Sequence, residues 1–282
     1  MTSPPTRTLA VVGLGQMGGG MAATLVRAGE ARVLGVDPIA APPPGVESAS
    51  LAEAMDVADA LLLSLPGAEQ VEEILQAVLD TGTTGRTVID TSTCDPAGSR
   101  ARADRARAAG HRYVDAPVSG GPSGARRGAL TVFLGCPEDA LADVRAVLAP
   151  LSTRINHVGD VGAGHTAKLL NNLLCALHLC AARTVLEVAG ASDIDPDRLL
   201  GAINTASGRS AVTEVNLPRW VLSGDFDSGF PIGLMARDVD LAAAMTRELQ
   251  ADTPVVEATL GMWQELTGAL DPTLDFNRMV QP

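Results

Sequence analysis

Two short stretches hold residue types that could do chemistry together. The first is Gly13-Leu14-Gly15-Gln16-Met17-Gly18, three glycines spaced as GxGxxG. It lies directly after an apolar, β-branched run and directly before a helical pattern. Gly13 permits a tight turn, Gly15 lets the backbone approach a diphosphate, and Gly18 lets the helix pack on the strand. The diphosphate would sit at the helix N-terminus, where unpaired N–H groups and the helix dipole favour an anion. Asp37 follows 19 positions after Gly18, at the end of the next strand-like run. A carboxylate there accepts hydrogen bonds from an adenosine ribose. No arginine follows it in Pro38-Ile39-Ala40, so the 2′-phosphate of NADP would meet only negative charge. NAD is therefore expected, with NADP disfavoured.

The second stretch contains Lys168, the one lysine among 21 basic residues. Oxidising an alcohol by hydride transfer needs a base for the hydroxyl proton, and the reverse reduction needs an acid at the same place. A lysine serves when burial or a neighbouring positive charge lowers its pKa. Asn172 stands four residues on, so on a helix the two side chains share a face. The pair could hold one substrate, Lys168 on the reacting oxygen and Asn172 fixing the lysine or the substrate. Ser119-Gly120-Gly121 adds a hydroxyl and exposed N–H groups after a strand-like segment, a plausible carboxylate cradle.

These residues need elements to position them. Up to about residue 160 the chain alternates short apolar runs with helical patterns. Strands are expected at 7–12, 32–36, 60–65, 87–89, 113–114, 130–134 and 155–158, with helices between. That alternation implies an α/β fold, a parallel, doubly wound Rossmann sheet. Ser50 and Glu53 have the spacing of a capping box, and Asp95-Pro96 offers an N-cap followed by proline. Residues 164–189 then lack proline and internal glycine and read as one long helix, mostly apolar. Helices are expected at 196–206, 212–222, 235–249 and 254–266, giving an all-α second domain. The expected division is 1–161 for the dinucleotide domain and 162–282 for a helical substrate and dimerisation domain.

Composition restricts the function classes. The chain has 282 residues with a net charge of −12 and a hydrophobic fraction of 46%, ordinary for a globular protein of about two domains. The acidic balance argues against nucleic acid or an anionic membrane as partner, because both need a basic face. No uncharged apolar run reaches about 18 residues, so no transmembrane helix is expected. Cys94, Cys136, Cys175 and Cys180 form no CxxC pair, and no His/Cys cluster has zinc spacing. Reduced, buried thiols in a cytoplasmic protein are expected, with no metal site. Arg100, Arg102, Arg105 and Arg107 read as a solvated helix face. Phe226, Phe230 and Leu234, spaced by four, read as core.

Five ordered segments together resemble the β-hydroxyacid dehydrogenase family, which includes 3-hydroxyisobutyrate dehydrogenase and tartronate semialdehyde reductase. They are residues 13–25, Leu65-Pro66, Asp90–Thr93, Asp115–Gly121 with Gly128–Thr131, and Gly162–Asn172, the last matching GxGxxxKxxNN. The resemblance covers nearly the whole chain. It implies that Lys168 is the catalytic acid/base, assisted by Asn172. It implies that Leu65, Pro66 and Thr93 join residues 13–18 and Asp37 around the cofactor, and that Ser119, Gly120 and Gly121 take the substrate's acid group. Two positions depart from the pattern. Thr24 stands where the family has asparagine. Arg237-Asp238 stands where a Lys-Asp pair is usual, so the cofactor contact at Arg237 keeps its charge but exchanges a point-like ammonium for a planar fork.

The expected activity is NAD-dependent interconversion of a small 3-hydroxy acid with its 3-oxo acid or semialdehyde. An imine reductase would use NADP and lack the lysine. A non-catalytic dinucleotide reader would have lost the proton-transfer residue. Lys168 and Asp37 count against both. The long apolar helix is expected to meet another subunit, giving a homodimer or homotetramer.

Overall fold

The computed structural model describes residues 7–251 and 253–280. It divides into two units, one ending at Lys168 and one beginning at Leu169. In the first unit, strands β1 (Thr8–Val12), β2 (Arg32–Val36), β3 (Glu47–Ser48), β4 (Ala60–Leu63), β5 (Thr87–Asp90) and β6 (Arg112–Asp115) pair in parallel. Their order is β3-β2-β1-β4-β5-β6. Helices α1 (Gln16–Ala28), α2 (Leu51–Val57), α3 (Ala68–Asp80) and α4 (Pro96–Ala108) make the crossovers. β7 (Val118–Ser119), α5 (Gly121–Arg127), β8 (Leu130–Gly135), α6 (Glu138–Leu148) and β9 (Ser152–Gly159) complete the unit.

Central strands explain their own sequences. Leu9 and Val11 of β1 belong to one core, while Ala10 and Val12 belong to the other. Leu62 and Ile89 join the first core, and Leu61, Leu63 and Val88 the second. A strand covered on both faces has no place for polar residues, so Ala60–Leu63 is wholly apolar. Each fully buried leucine contributes about 1.5–3 kcal/mol. The expected helix signals operate as read: Ser50 and Glu53 form a reciprocal capping box, and Asp95 caps α4 ahead of Pro96.

Three features of this unit differ from the sequence reading. The sheet is not wholly parallel, because β8 runs antiparallel to β6 and β7. A run such as Leu130–Leu134 carries no signal of direction. The short helix α5 was not expected, since Gly121, Pro122 and Gly124 disfavour helix interiors. It is held by packing: Thr24 Oγ1 of α1 donates to the Ala125 carbonyl at 2.8 Å, which gives the departure at Thr24 a structural role. Arg102 is buried rather than solvated, its Nη2 donating to the Ala68 carbonyl and its Nε to Glu72.

The second unit holds most of the 29-residue helix α7 (Ala163–Ala191), whose first six residues belong to the first unit. α8 (Pro196–Ile203), α9 (Ile232–Glu248) and α10 (Pro254–Ala269) follow. Leu169, Leu173, Ala176 and Leu179 of α7 form a core with Met235, Val239 and Ala242 of α9 and Leu260 and Trp263 of α10. α7 is long and apolar enough, by length and composition, to cross a membrane. Its buried apolar residues belong to that core, while Leu170, Leu174, Val185 and Val188 stay exposed. Residues Val212–Leu222 wind as a π-helix instead of the expected α-helix. Pro218 lies inside, lacks an N–H and crowds the carbonyl four residues back, so the ordinary ladder cannot run through. Phe230 packs edge-on against Phe276 as a core residue should, whereas Leu234 is exposed. Cys94, Cys136 and Cys180 are buried, and Cys175 is half-buried.

Candidate active site

The carboxyl ends of the parallel strands carry the cofactor residues read from the sequence in the first unit, which is where an open α/β sheet binds its ligand, whereas Arg237 lies on α9 of the second unit. Gly13 follows β1 with φ 89°, and a Cβ there would come within 2.3 Å of the Ser64 carbonyl oxygen. A Cβ on Gly18 would strike the Gly13 carbonyl oxygen at 1.8 Å. Around Gly15 a Cβ would meet nothing within 4 Å. Two glycines are thus required by the protein itself, and the third leaves open space at the start of α1. That helix has no side-chain cap and no acid in its first turn. An open, uncapped helix N-terminus fits the diphosphate of a dinucleotide.

Asp37 follows β2. Its Oδ2 accepts from the Leu14 N–H at 2.7 Å, and its Oδ1 accepts from Ile39 and Ala40 at 2.8 and 2.7 Å. The N–H bonds, that of Ala40 foremost, hold its carboxyl below the usual range. An ionised carboxylate has about four acceptor positions, so three donors leave it able to receive a ribose hydroxyl. Leu65 follows β4, and its N–H donates to Ser92 Oγ at 3.0 Å. Ser92 and Thr93 follow β5. Gln16 and Met17 open α1, and Pro66 directly follows Leu65.

Ser119 ends β7 opposite Thr131. Gly120 and Gly121 then take left-handed φ values of 124° and 62° to turn the chain into α5. In the second unit, Asn172 Nδ2 donates to Asp238 Oδ2 at 2.7 Å, and Arg237 pairs with Asp238 Oδ1 at 3.1 Å. Asn172 and Asp238 are both buried. The Arg237-Asp238 pair therefore supports Asn172, a link between residues 66 positions apart that spacing alone could not give.

The start of α7 is held by several buried hydrogen bonds. Asp115, wholly buried at the end of β6, accepts from the Gly162 and His165 N–H groups, both at 2.7 Å. Burial raises its pKa, opposed by His165 and these N–H donors. His165 Nδ1 lies 2.7 Å from Ser99 Oγ and Nε2 lies 3.0 Å from the Ser92 carbonyl oxygen. Lys168 follows one turn later and is 7% exposed. Asp115 and His165 are the residues that sequence reasoning left without roles.

Asp90, Cys94 and His165 bring ligand-capable atoms within 4.8 Å of one another. Asp90 Oδ1 already accepts from the Ser92 N–H and Oδ2 from the Tyr113 hydroxyl. Burial pushes the Tyr113 phenol well above its ordinary pKa, so that hydroxyl remains a donor. With both histidine nitrogens also engaged, the group is a hydrogen-bonded knot whose donors a metal would have to displace. Two clefts, about 280 and 240 Å³, lie at the opposite, amino end of the sheet around Arg7 and Val147, away from these residues.

A Rossmann-type sheet with a glycine turn and an acid at the end of β2, followed by a helical unit, defines a two-part dinucleotide-binding protein. Comparison with known proteins sharpens this. Residues 8–159 match the NAD-binding domain model of 6-phosphogluconate dehydrogenase, and residues 162–282 match the model described as NAD-binding of NADP-dependent 3-hydroxyisobutyrate dehydrogenase. The 3-hydroxyisobutyrate dehydrogenase of Pseudomonas aeruginosa is 34% identical, covering 88% of each chain. The 2-(hydroxymethyl)glutarate dehydrogenase of Eubacterium barkeri is 30% identical over 91% of this chain and 95% of its own. The solved 3-hydroxyisobutyrate dehydrogenase of Mycobacterium tuberculosis with L-serine superposes with a TM-score of 0.89 at 31% identity, covering 97% and 98%. An imine reductase from Bacillus cereus shares the architecture alone, with a TM-score of 0.63 at 18% identity. The chain belongs to the β-hydroxyacid dehydrogenase family. It is an NAD-dependent oxidoreductase that interconverts hydroxy acids and their oxo counterparts.

Proposed function

We propose that the chain oxidises a small 3-hydroxy acid, or reduces the matching 3-oxo acid or semialdehyde, with Lys168 moving the proton at the reacting oxygen. The observation that carries this reading is the placement of Lys168: it is buried, on the first turns of α7, one helical turn before Asn172. NAD, when bound, takes up or returns the hydride. The residues of the chain do the rest. The turn 13–18 holds the diphosphate, Asp37 the adenosine ribose, and Leu65, Pro66 and Thr93 border the nicotinamide side. Ser119, Gly120 and Gly121 receive the substrate carboxylate. Asn172, held by Asp238, assists Lys168 one turn before it on α7.

Relatives named for L-serine, 3-hydroxyisobutyrate and 2-hydroxy-3-oxopropionate all bear a small acid with oxygen chemistry near the carboxylate. The test is NADH formation from NAD with 3-hydroxyisobutyrate, glycerate, L-serine and L-threonine, beside Lys168→Ala. Turnover by the native protein and loss of at least about 10²-fold in the variant are expected for removal of a general acid/base. Retained turnover in Lys168→Ala would sink the mechanism.

The exposed face of α7 presents Leu170, Leu174, Val185 and Val188. These positions share one helix face, and a stripe of large apolar residues open to water fits a subunit contact. A homodimer or homotetramer in the cytoplasm is the corresponding assembly. Light scattering of the native protein at a monomer mass would contradict it.

A further inference from the structure

His165 is wholly buried three residues before Lys168 on the same helix. Every polar atom of its side chain faces a partner. The Ser92 carbonyl can only accept, so Nε2 carries a hydrogen and donates to it at 3.0 Å. Nδ1 meets the Ser99 hydroxyl, which also lies 2.9 Å from the Asp95 carbonyl oxygen. The histidine's main-chain N–H is held by Asp115. Asp90 and Cys94 lie beside the ring.

Ser92 extends this contact. Its hydroxyl accepts from Leu65 and its N–H donates to Asp90. One imidazole therefore ties the first turn of α7 to both Ser92–Thr93 and, through Ser92, Leu65–Pro66. An apolar side chain would fill the same space without two ring nitrogens whose burial is costly when unpaired. Packing alone does not account for a histidine here. The neighbouring geometry is equally tight: a Cβ on Gly164 would come within 2.5 Å of the Phe133 carbonyl oxygen.

We propose that His165 is a positioning residue, which sets the first turn of α7, and Lys168 with it, against the Ser92–Thr93 segment. The proposal rests on the reading of Lys168 as the proton-transfer group. A displacement of about 1 Å at a reacting group can cost about 10²-fold in rate, so loss of one of the hydrogen bonds that hold the turn would be visible in kcat.

The two amide replacements separate the ring's two nitrogens. In His165→Gln the amide nitrogen reaches the place of Nε2 and keeps the donor to Ser92. In His165→Asn the amide ends near Nδ1, and the Ser92 carbonyl loses its partner. With NAD and L-serine or 3-hydroxyisobutyrate, His165→Asn should lose about 10- to 100-fold in kcat, with KM and NADH affinity nearly unchanged, the pattern of an interaction felt in the transition state. His165→Gln should stay within about threefold of native. A readout needing no substrate accompanies this. Protein grown on ¹³C-lysine gives one side-chain Cε resonance, because Lys168 is the single lysine. That resonance should move in His165→Asn and hold its place in His165→Gln.

Native kcat and an unmoved resonance in His165→Asn would overturn the proposal. So would equal losses in both variants, or a loss that only follows the unfolded fraction by near-UV circular dichroism. Lys168→Ala separates the two readings. An inactive Lys168→Ala beside a fully active His165→Asn removes the positioning role alone, whereas an active Lys168→Ala removes the role of Lys168 and this proposal with it.

Discussion

Two helix N-termini in the first unit have the same electrostatics and opposite treatment. α1 begins after Gly15 with no cap, no acid and open space in front. The start of α7 is filled by the protein's own anion, the buried carboxylate of Asp115, with Gly162 and His165 bound to it. An N-terminus attracts negative charge in either case. Left open, it has room for a ligand's negative charge. Closed by a carboxylate from a strand end, it fixes a helix in place. The difference separates what the cofactor must supply from what the fold must hold.

The comparison is broken most directly at Asp115. Asp115→Ala leaves the Gly162 and His165 N–H groups without their buried partner, and at about 1–3 kcal/mol for each a loss of about 2–6 kcal/mol in chemical unfolding is expected. A loss below about 1 kcal/mol would mean that α7 is seated by its packing alone. Gly164→Ala comes next. The added methyl would meet the Phe133 and Asp115 carbonyl oxygens at 2.5 and 2.8 Å, for an expected loss of about 1–3 kcal/mol. An unchanged melting temperature would show that the strand ends can yield there.

Gly15→Ala should behave in the opposite way. Its Cβ enters open space, so thermal stability should hold while NADH affinity falls about tenfold, or about 1.4 kcal/mol. Equal NADH affinity by fluorescence titration would remove the diphosphate from that position. The smallest effect is expected at Asp37→Asn. NAD affinity should weaken several-fold more than NADP affinity, and an unchanged ratio would defeat the assignment.

The two aspartates should also answer pH with opposite signs. The folded pKa of Asp37 is lowered by its N–H donors. Its contribution to stability is therefore present above the unfolded value of about 3.9 and is lost as pH falls through the folded value. The native-minus-Asp37→Asn difference in melting temperature should be level from pH 7 to 5 and shrink below about pH 4. Asp115, raised by burial, contributes its protonation-linked stability below about 3.9 and loses it as pH rises through its folded value. A level difference for Asp37→Asn down to pH 3 would show that its N–H bonds are not maintained.

The open end was legible in the sequence and the closed end was not. Gly13, Gly15, Gly18 and Asp37 act within two adjacent strands and one helix, so their spacing follows from the βαβ unit itself. Asp115 and His165 meet only because β6 ends where α7 begins, 50 residues later. Each looks ordinary in its own segment. Direction was hidden for a related reason. Leu130–Leu134 reads as a buried strand whichever way it runs, and only its pairing with β6 and β7 shows it to be antiparallel. The burial of Arg102 depends on Glu72 and Ala68 of a different helix, which a count of charges along α4 cannot reveal. Lys168 and Asn172 were visible as a pair through their four-residue spacing, whereas Asp238, which holds Asn172, was seen only as half of a departure from the family pattern.

β3 has a consequence for the molecule in solution. This edge of the sheet is two residues long, both exposed, and Glu47 is engaged in a two-pronged ion pair with Arg32. A longer, uncharged border would present a ladder of unpaired N–H and C=O groups on which another chain could add a strand. Here an incoming strand finds too few backbone groups to register against and a pair of charges that it would have to dehydrate. At that edge the chain can carry a wide, strongly apolar sheet at high concentration without offering a seed for aggregation.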